Sequence, residues 1–278
     1  MARRHDRQEG CLDRPRDPLP TRVDSCPPLP TAYHDALDAA LVGLGIGLSA
    51  PARAAIDGHV RLLLAWNEAI NLTAIRDPAA IAVRHVADSL GALDELRRRG
   101  IDRFVDLGSG GGFPGLPLAA ALPADRALLI DSVGKKVRFL ATVAEAVGLG
   151  QRVAAEAARS ESLAADPADR GRWQAVTARA VAPLAELIEL ALPLLRPGGI
   201  LVAWKRTDGT GGLGLADELA VGRRALTVID RDGRLDVRPE NDAVADLAAH
   251  RLVVVERSRK PIADMWPRDP AARRRVPW

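Results

Sequence analysis

One stretch of the 278-residue sequence has a composition suited to ligand binding, Asp106-Leu-Gly108-Ser-Gly110-Gly-Gly112-Phe113-Pro114-Gly115. Five glycines fall within eight residues, a costly amount of chain entropy to order for a mere connection. Without Cβ atoms the backbone turns sharply and lets a ligand approach closely. Gly110-x-Gly112-x-x-Gly115 fits a dinucleotide fingerprint, in which helix N–H groups hold a pyrophosphate. Asp106, two residues before the first glycine, is awkward beside a diphosphate and suits a ligand with an ammonium group. Asp131 closes the next apolar run, where an acid accepts hydrogen bonds from ribose hydroxyls in either ligand class. It would also serve as a cap for the helix near Lys135.

Other chemistries are poorly served. Both cysteines, Cys11 and Cys26, lie in a Pro/Arg-rich leader, which argues against a disulfide framework and a thiol nucleophile. No Cys/His cluster has metal-ligand spacing. No Asn/Asp-Pro-Pro-aromatic segment, the kind used on exocyclic amines, is found. Only Lys135, Lys136, Lys205 and Lys260 are lysines among 39 basic residues, so a lysine marks a place where a compact charge suits better than an Arg fork. Lys205 and Arg179 each close a predicted strand, and Arg84-His85 lies on a predicted helix. Aromatics make up 3% of the chain, too few for a broad base-stacking platform, and Trp66 and Trp204 read as core-edge residues.

Helices come first, then alternating strands and helices. Apolar spacing predicts helices over Tyr33–Leu48, from the Ser49/Pro51 cap through Ile70, and from Asp77-Pro78 to a stop at Gly100. Short apolar runs predict strands at Arg103–Leu107, Ala127–Ile130, Arg152–Ala155, Ala175–Ala178, Ile200–Trp204, Leu226–Ile229 and Leu252–Val255. Between them lie helices at Lys135–Val147 and Pro183–Leu195, and a turn at Arg196-Pro197-Gly198-Gly199. The pattern is that of an α/β fold, a seven-stranded mostly parallel sheet covered on both faces, with ligands outside the carboxyl ends of its strands.

Charge is uneven. Residues 1–30 carry six Arg against five acids without apolar periodicity, and read as a disordered leader. Residues 251–278 carry seven Arg and one Lys against three acids, leaving a slightly acidic body. A basic tail can contact phosphate or simply keep the chain soluble. No apolar stretch reaches the roughly 18–20 residues that span a bilayer, and no apolar h-region follows the N-terminal arginines, which argues against secretion. The domain reading is a leader over 1–30, a helical cap over 31–100, a ligand-binding domain over 101–258 and a basic tail over 259–278.

Taken from Asp106, the loop is D-x-G-x-G-x-G, which resembles the first motif of class I S-adenosylmethionine (SAM) methyltransferases with their Rossmann-like fold. Asn71-Leu-Thr73-Ala-Ile-Arg76, Arg84-His85-x-x-Asp88-Ser89, the glycine loop through Pro117, and Asp131-Ser132-x-x-Lys135-Lys136-x-Arg138-Phe139 follow in order. This series resembles the RsmG (GidB) family of 16S ribosomal RNA guanine-N7 methyltransferases, over about Tyr33 to Arg257. The resemblance implies SAM as cofactor, held by Asp106, Gly108, Gly110, Phe113 and Asp131, with Ser160 and Glu161 at its adenine end. It implies that Arg179 faces cofactor and base; Lys205 joins it as a candidate catalytic residue. It further implies a cytoplasmic enzyme, without membrane attachment and expected as a monomer, acting on small-subunit rRNA or the 30S particle. An NAD(P)-dependent oxidoreductase and a non-catalytic ribosome-assembly binder are the alternatives. Three features depart from the family: the leader, the Arg-rich tail, and the glycine-rich stretch Thr207 to Leu215, expected to be mobile without RNA.

Overall fold

The structure is a computed structural model, and it describes residues 19–208, 214–238 and 243–278. Two helices, α1 (Thr31–Gly43) and α2 (Ala50–Ile70), open the fold. Ser49 caps α2 by accepting from the Ala52 N–H, and Pro51 sits in its first turn. Asn71 ends α2 in the left-handed conformation (φ 46°), which asparagine adopts more readily than most residues. The third predicted helix is interrupted. Asp77 caps α3 (Pro78–Ile81), a π-helical segment follows over Ala82–Ala87, then α4 (Asp88–Leu90), a turn at Gly91, and α5 (Leu93–Arg98).

The body alternates β1 (Arg103–Leu107), α6 (Gly115–Ala121), β2 (Arg126–Asp131), α7 (Gly134–Ala146), β3 (Val153–Ala157), α8 (Ser160–Ala165), β4 (Trp173–Arg179), α9 (Leu184–Ala191) and β5 (Leu195–Arg206). It closes with α10 (Leu215–Ile229), β6 (Arg234–Val237), β7 (His250–Glu256) and α11 (Pro270–Arg275). The sheet order is β3-β2-β1-β4-β5-β7-β6; the first five strands are parallel, and β7 pairs antiparallel with both β5 and β6. Because β7 runs backwards, its first residue, His250, stands beside Arg206 at the carboxyl end of β5.

Side chains alternate across this sheet and feed two cores. Phe104, Leu129, Ala175 and Val202 join α1, α2 and the segment around Val86 and Leu90 on one face. Val105, Leu128, Val176, Leu201 and Val253 join α9 and Leu226 on the other. The helices before β1 therefore share one continuous core with the sheet.

Four expectations need correction. Leu226–Ile229 is not a strand; it is the last turn of α10, whose buried Gly222, Ala225, Leu226 and Ile229 lie on one helical face, and the sixth strand is Arg234–Val237. The helix before β5 ends at Ala191, with Leu192 still at helical angles as its cap, because Pro193 has no N–H to continue the ladder. Arg196–Gly199 is a bulge inside β5: Trp173 pairs with Leu195, yet Ala175 pairs with Ile200. Residues 19–30 are ordered. Val23–Ser25 forms a 3-10 turn, and Cys26 and Leu29 are buried in the core. Residues 1–18, and 209–213 of the glycine-rich stretch, lie outside the described residues.

Candidate active site

The glycine loop leaves β1 and reaches α6 under tight steric limits. Gly108 has φ +64°, and a Cβ there would sit 2.8 Å from Val181 Cγ2. At Gly115 a Cβ would meet Leu129 Cδ2 at 2.4 Å and Asp106 Oδ2 at 2.8 Å. Both positions are closed to any side chain.

Two carboxylates tie the loop from below. Asp106 is fully buried; Oδ1 accepts from Thr177 Oγ1 (2.6 Å) and Oδ2 from the Gly115 N–H (3.2 Å). Burial raises its pKa to about 6, against the pull of those hydrogen bonds and of Arg179. Asp131 accepts from the Gly110 N–H (3.0 Å) and the Val133 N–H (2.9 Å). Two loop amides, those of Gly110 and Gly115, are therefore committed to acids, and those of Ser109 and Gly112 to main-chain carbonyls. Asp106 acts beneath the loop as its fastener, which is a different place from the ligand-facing one that its spacing suggested.

From above, the loop is held by α2. His59 is buried, and its Nε2 lies 2.7 Å from the Gly111 carbonyl, so Nε2 carries the proton and donates. Burial lowers the His59 pKa to about 4. Phe113 is gripped between His59 (centroids 4.5 Å apart) and His85 (4.8 Å). The Arg179 guanidinium also stands 5.5 Å from the Phe113 ring centre.

Arg179, at the end of β4, donates to Asp88 Oδ2 (2.9 Å) and the Arg84 carbonyl (3.1 Å). It also lies 3.2 Å from His85 Nδ1. An arginine only donates, so His85 Nδ1 accepts and Nε2–H points to Thr73 Oγ1 at 2.6 Å. Burial and the adjacent Arg179 hold His85 neutral, with its pKa down to about 4. Asp88 Oδ1 faces His250 Nδ1 at 2.8 Å, and Trp204 Nε1 donates to the Asp88 carbonyl. Thr73 is itself set by Asn67, whose amide bonds the Leu72 and Thr73 N–H groups and the Thr73 carbonyl. The Asn-Leu-Thr and Arg-His segments of the sequence thus converge on one wall.

An open cleft of about 790 Å³ lies among these groups, lined by Gly108–Gly111, Phe113, Thr73, His85, Asp88, Arg179–Pro183, Lys205 and His250. Of the sequence candidates, Gly108, Gly110, Phe113, Arg179 and Lys205 line it together. Lys205 is buried; Nζ pairs with Glu218 Oε1 (2.6 Å) and donates to the Ala182 carbonyl (2.8 Å). Asp131, Ser160 and Glu161 lie off this cleft, beside the loop: Asp131 pairs in register with Ala157, and Ser160 opens the helix just after it. His59, His250 and Asn67 were not singled out from the sequence. Lys135 and Arg138 face solvent on α7.

The sheet order, the glycine cradle after its first strand and the acid closing its second define a class I SAM-dependent methyltransferase. The same architecture occurs in an O-methyltransferase from Bacillus cereus solved in complex with SAH (TM-score 0.53, 16% identity, 72% of this chain and 91% of that one). It also occurs in a methyltransferase from Geobacter sulfurreducens (TM-score 0.50, 17% identity, 84% and 98%). The family described as rRNA small subunit methyltransferase G (GidB) matches residues 53–228, and the chain belongs to that family. Ribosomal RNA small subunit methyltransferase G of Symbiobacterium thermophilum is 33% identical over 243 residues, 86% of this chain and 95% of that protein. The protein of that name from Halorhodospira halophila is 46% identical over 169 residues, 61% of this chain and 77% of its own length. The oxidoreductase and non-catalytic readings find no support in these relatives.

Proposed function

We propose that the protein transfers the methyl group of SAM to N7 of a guanine in 16S rRNA. The observation that carries this reading is the state of the proton-moving groups on the cleft wall. His85, Asp88, Lys205 and His250 are each already paired, and His85 is neutral with both ring nitrogens engaged. A base that must lose a proton before methylation would find no free acceptor among them. Guanine N7 carries an in-plane lone pair and needs none. When bound, SAM supplies an electrophilic methyl on a sulfonium centre.

The remaining task is alignment and exclusion of water. Gly108 and Gly110 give the cofactor close access to the backbone, Asp131 takes its ribose end, and Ser160 and Glu161 take its adenine end. Phe113, fixed by two imidazoles, and Arg179 set the plane of the incoming base. Asp88 balances the Arg179 charge at 2.9 Å, so the purine meets a neutral ion pair as positive charge develops on it. Lys205 is a positioning residue that ties α10, through Glu218, to the segment after Arg179; Glu218 also accepts from the Leu184 N–H. Half-exposed Arg84 and Arg206 at the rim, each paired with an acid (Asp246 and Asp208) that an RNA phosphate would replace, suit backbone contacts. Exposed Arg76, next in sequence to the rim residue Ile75, suits them as well. The reading extends to a cytoplasmic monomer acting on small-subunit rRNA or the 30S particle. Among the described residues no helix is long and apolar enough to cross a membrane.

The test is transfer of labelled methyl from SAM to small subunits of a strain lacking the gene, followed by nucleoside mapping. 7-Methylguanosine in 16S rRNA is the expected product. Label on an exocyclic amine or a ribose, or no transfer, overturns the proposal.

A further inference from the structure

The C-terminal segment, which lies beyond the family match, is fastened to the body at one strong point. Arg268 bonds both carboxylate oxygens of the fully buried Glu189 on α9, and Trp278 Nε1 donates to the same group at 2.7 Å. The Arg268 guanidinium lies 5.6 Å and 4.6 Å from the ring centres of Trp266 and Trp278. Asp269 caps α11 by accepting from the Ala271 N–H. This anchoring brings Arg273, near the end of α11, onto α8.

There Arg273 forms an ion pair with Glu161 Oε1, and its Nε stands 3.5 Å from Glu186 Oε1. The side chains of Arg273 and Glu161 are only 10% and 19% exposed, so water screens the pair far less than it would at an open surface. A glutamate in the first turn of a six-residue helix has several accessible rotamers; the guanidinium selects one. Because the bond uses Oε1, it also fixes where Oε2 points. Topology puts Glu161 four residues past Ala157, the end of β3 that pairs with Asp131, at the carboxyl edge of the sheet where ligands bind in such folds.

We infer that Arg273 is a positioning residue for cofactor binding, acting through Glu161. The inference rests on the reading of Glu161 as an adenine-end contact. The docked tail then serves the site by orienting a ligand group, and its basic composition has a use inside the molecule.

Calorimetric titration of the full-length protein with SAM tests this, alongside steady-state kinetics. Arg273→Ala is expected to raise the Kd for SAM about tenfold, the loss of one charge-assisted contact. KM for SAM rises with it, while kcat changes little. Arg273→Lys restores part of the affinity, and Arg273→Gln serves if the alanine variant does not fold. In a Glu161→Ala background, Arg273→Ala adds no further loss, which a merely structural role would not produce. If Glu161→Ala binds SAM like the wild type, the adenine-end reading fails and the inference with it. If Glu161→Ala weakens binding but Arg273→Ala does not, the inference alone fails. Tighter binding by Arg273→Ala overturns it as well, since the tail would then obstruct the site.

Discussion

His59 Nε2 and the carbonyl oxygen of Gly111 stand 2.7 Å apart, across 52 residues of sequence. Through that bond the second helix of the chain holds the cofactor loop from above, while Asp106 and Asp131 hold it from below. A loop rich in glycine gains its shape from these three outside groups.

Replacement of His59 by alanine removes both the bond and a ring packed on Phe113 and Phe139. Stability should fall by about 3 kcal/mol, typical for emptying a buried site and losing a buried hydrogen bond. SAM affinity should fall by about tenfold in the folded fraction, with His59→Gln recovering part through its amide donor. Urea melts and SAM titration measure the two effects; unchanged affinity in a stable variant would mean that the loop holds its shape unaided.

Arg179→Ala strips Asp88 of one partner and leaves the other, His250. Methyl transfer should drop on the order of 100-fold, comparable to loss of one aligned polar contact at a reacting group. The circular dichroism spectrum should persist, because the side chain is at the cleft and the rest of β4 is unaffected. Turnover at the wild-type rate would remove Arg179 from the base-facing wall.

Acid should weaken the fold in a defined window. His59 and His85, ordinarily near 6.5, are held neutral by burial with folded values of about 4, and Arg179 adds to the effect at His85. Between those values the unfolded chain binds the extra protons, so stability is lost as pH falls from 6.5 toward 4. Asp106 opposes this: burial moves it from 3.8 to about 6, so the folded state holds its proton and stability declines as pH rises through that range. Two histidines against one aspartate leave a net uptake of about one proton on unfolding near pH 5. The slope is then roughly 1.4 kcal/mol per pH unit, with stability increasing toward neutrality. Denaturant melts at pH 5 and pH 7 check the sign, and a His59→Asn/His85→Gln variant should flatten or reverse it. An equal slope in that variant would count against both assignments.

Much of this site was legible in the sequence because its signals are local. The glycine spacing, the Ser49 and Asp77 caps, and the acid closing β2 each announce their own geometry within a few residues. The alternation of strands with helices implied a sheet covered on both faces, and Phe104 and Val105, like Leu129 and Leu128, do enter opposite cores. What stayed hidden depends on distant partners. His59 and Asn67 are the two polar residues among the buried, mainly apolar positions of α2, and only the fold brings His59 to Gly111. Leu226–Ile229 looks like a strand because Thr227, Val228 and Ile229 are β-branched, yet its burial follows the helix period set from Gly222. The true edge strand, Arg234–Val237, is short and half charged, so its alternation carries little weight by itself. The direction of the Asp106 carboxylate was hidden for a related reason: spacing places the residue at the loop, and only the fold shows its oxygens turned to Thr177 and the Gly115 N–H.

The backward run of β7 has a consequence for biosynthesis. Asp88 meets His250 across 162 residues, so the wall that carries Arg179 stays incomplete until β7 has emerged from the exit tunnel. A nascent chain halted before β7 would own the glycine loop and lack a finished pocket.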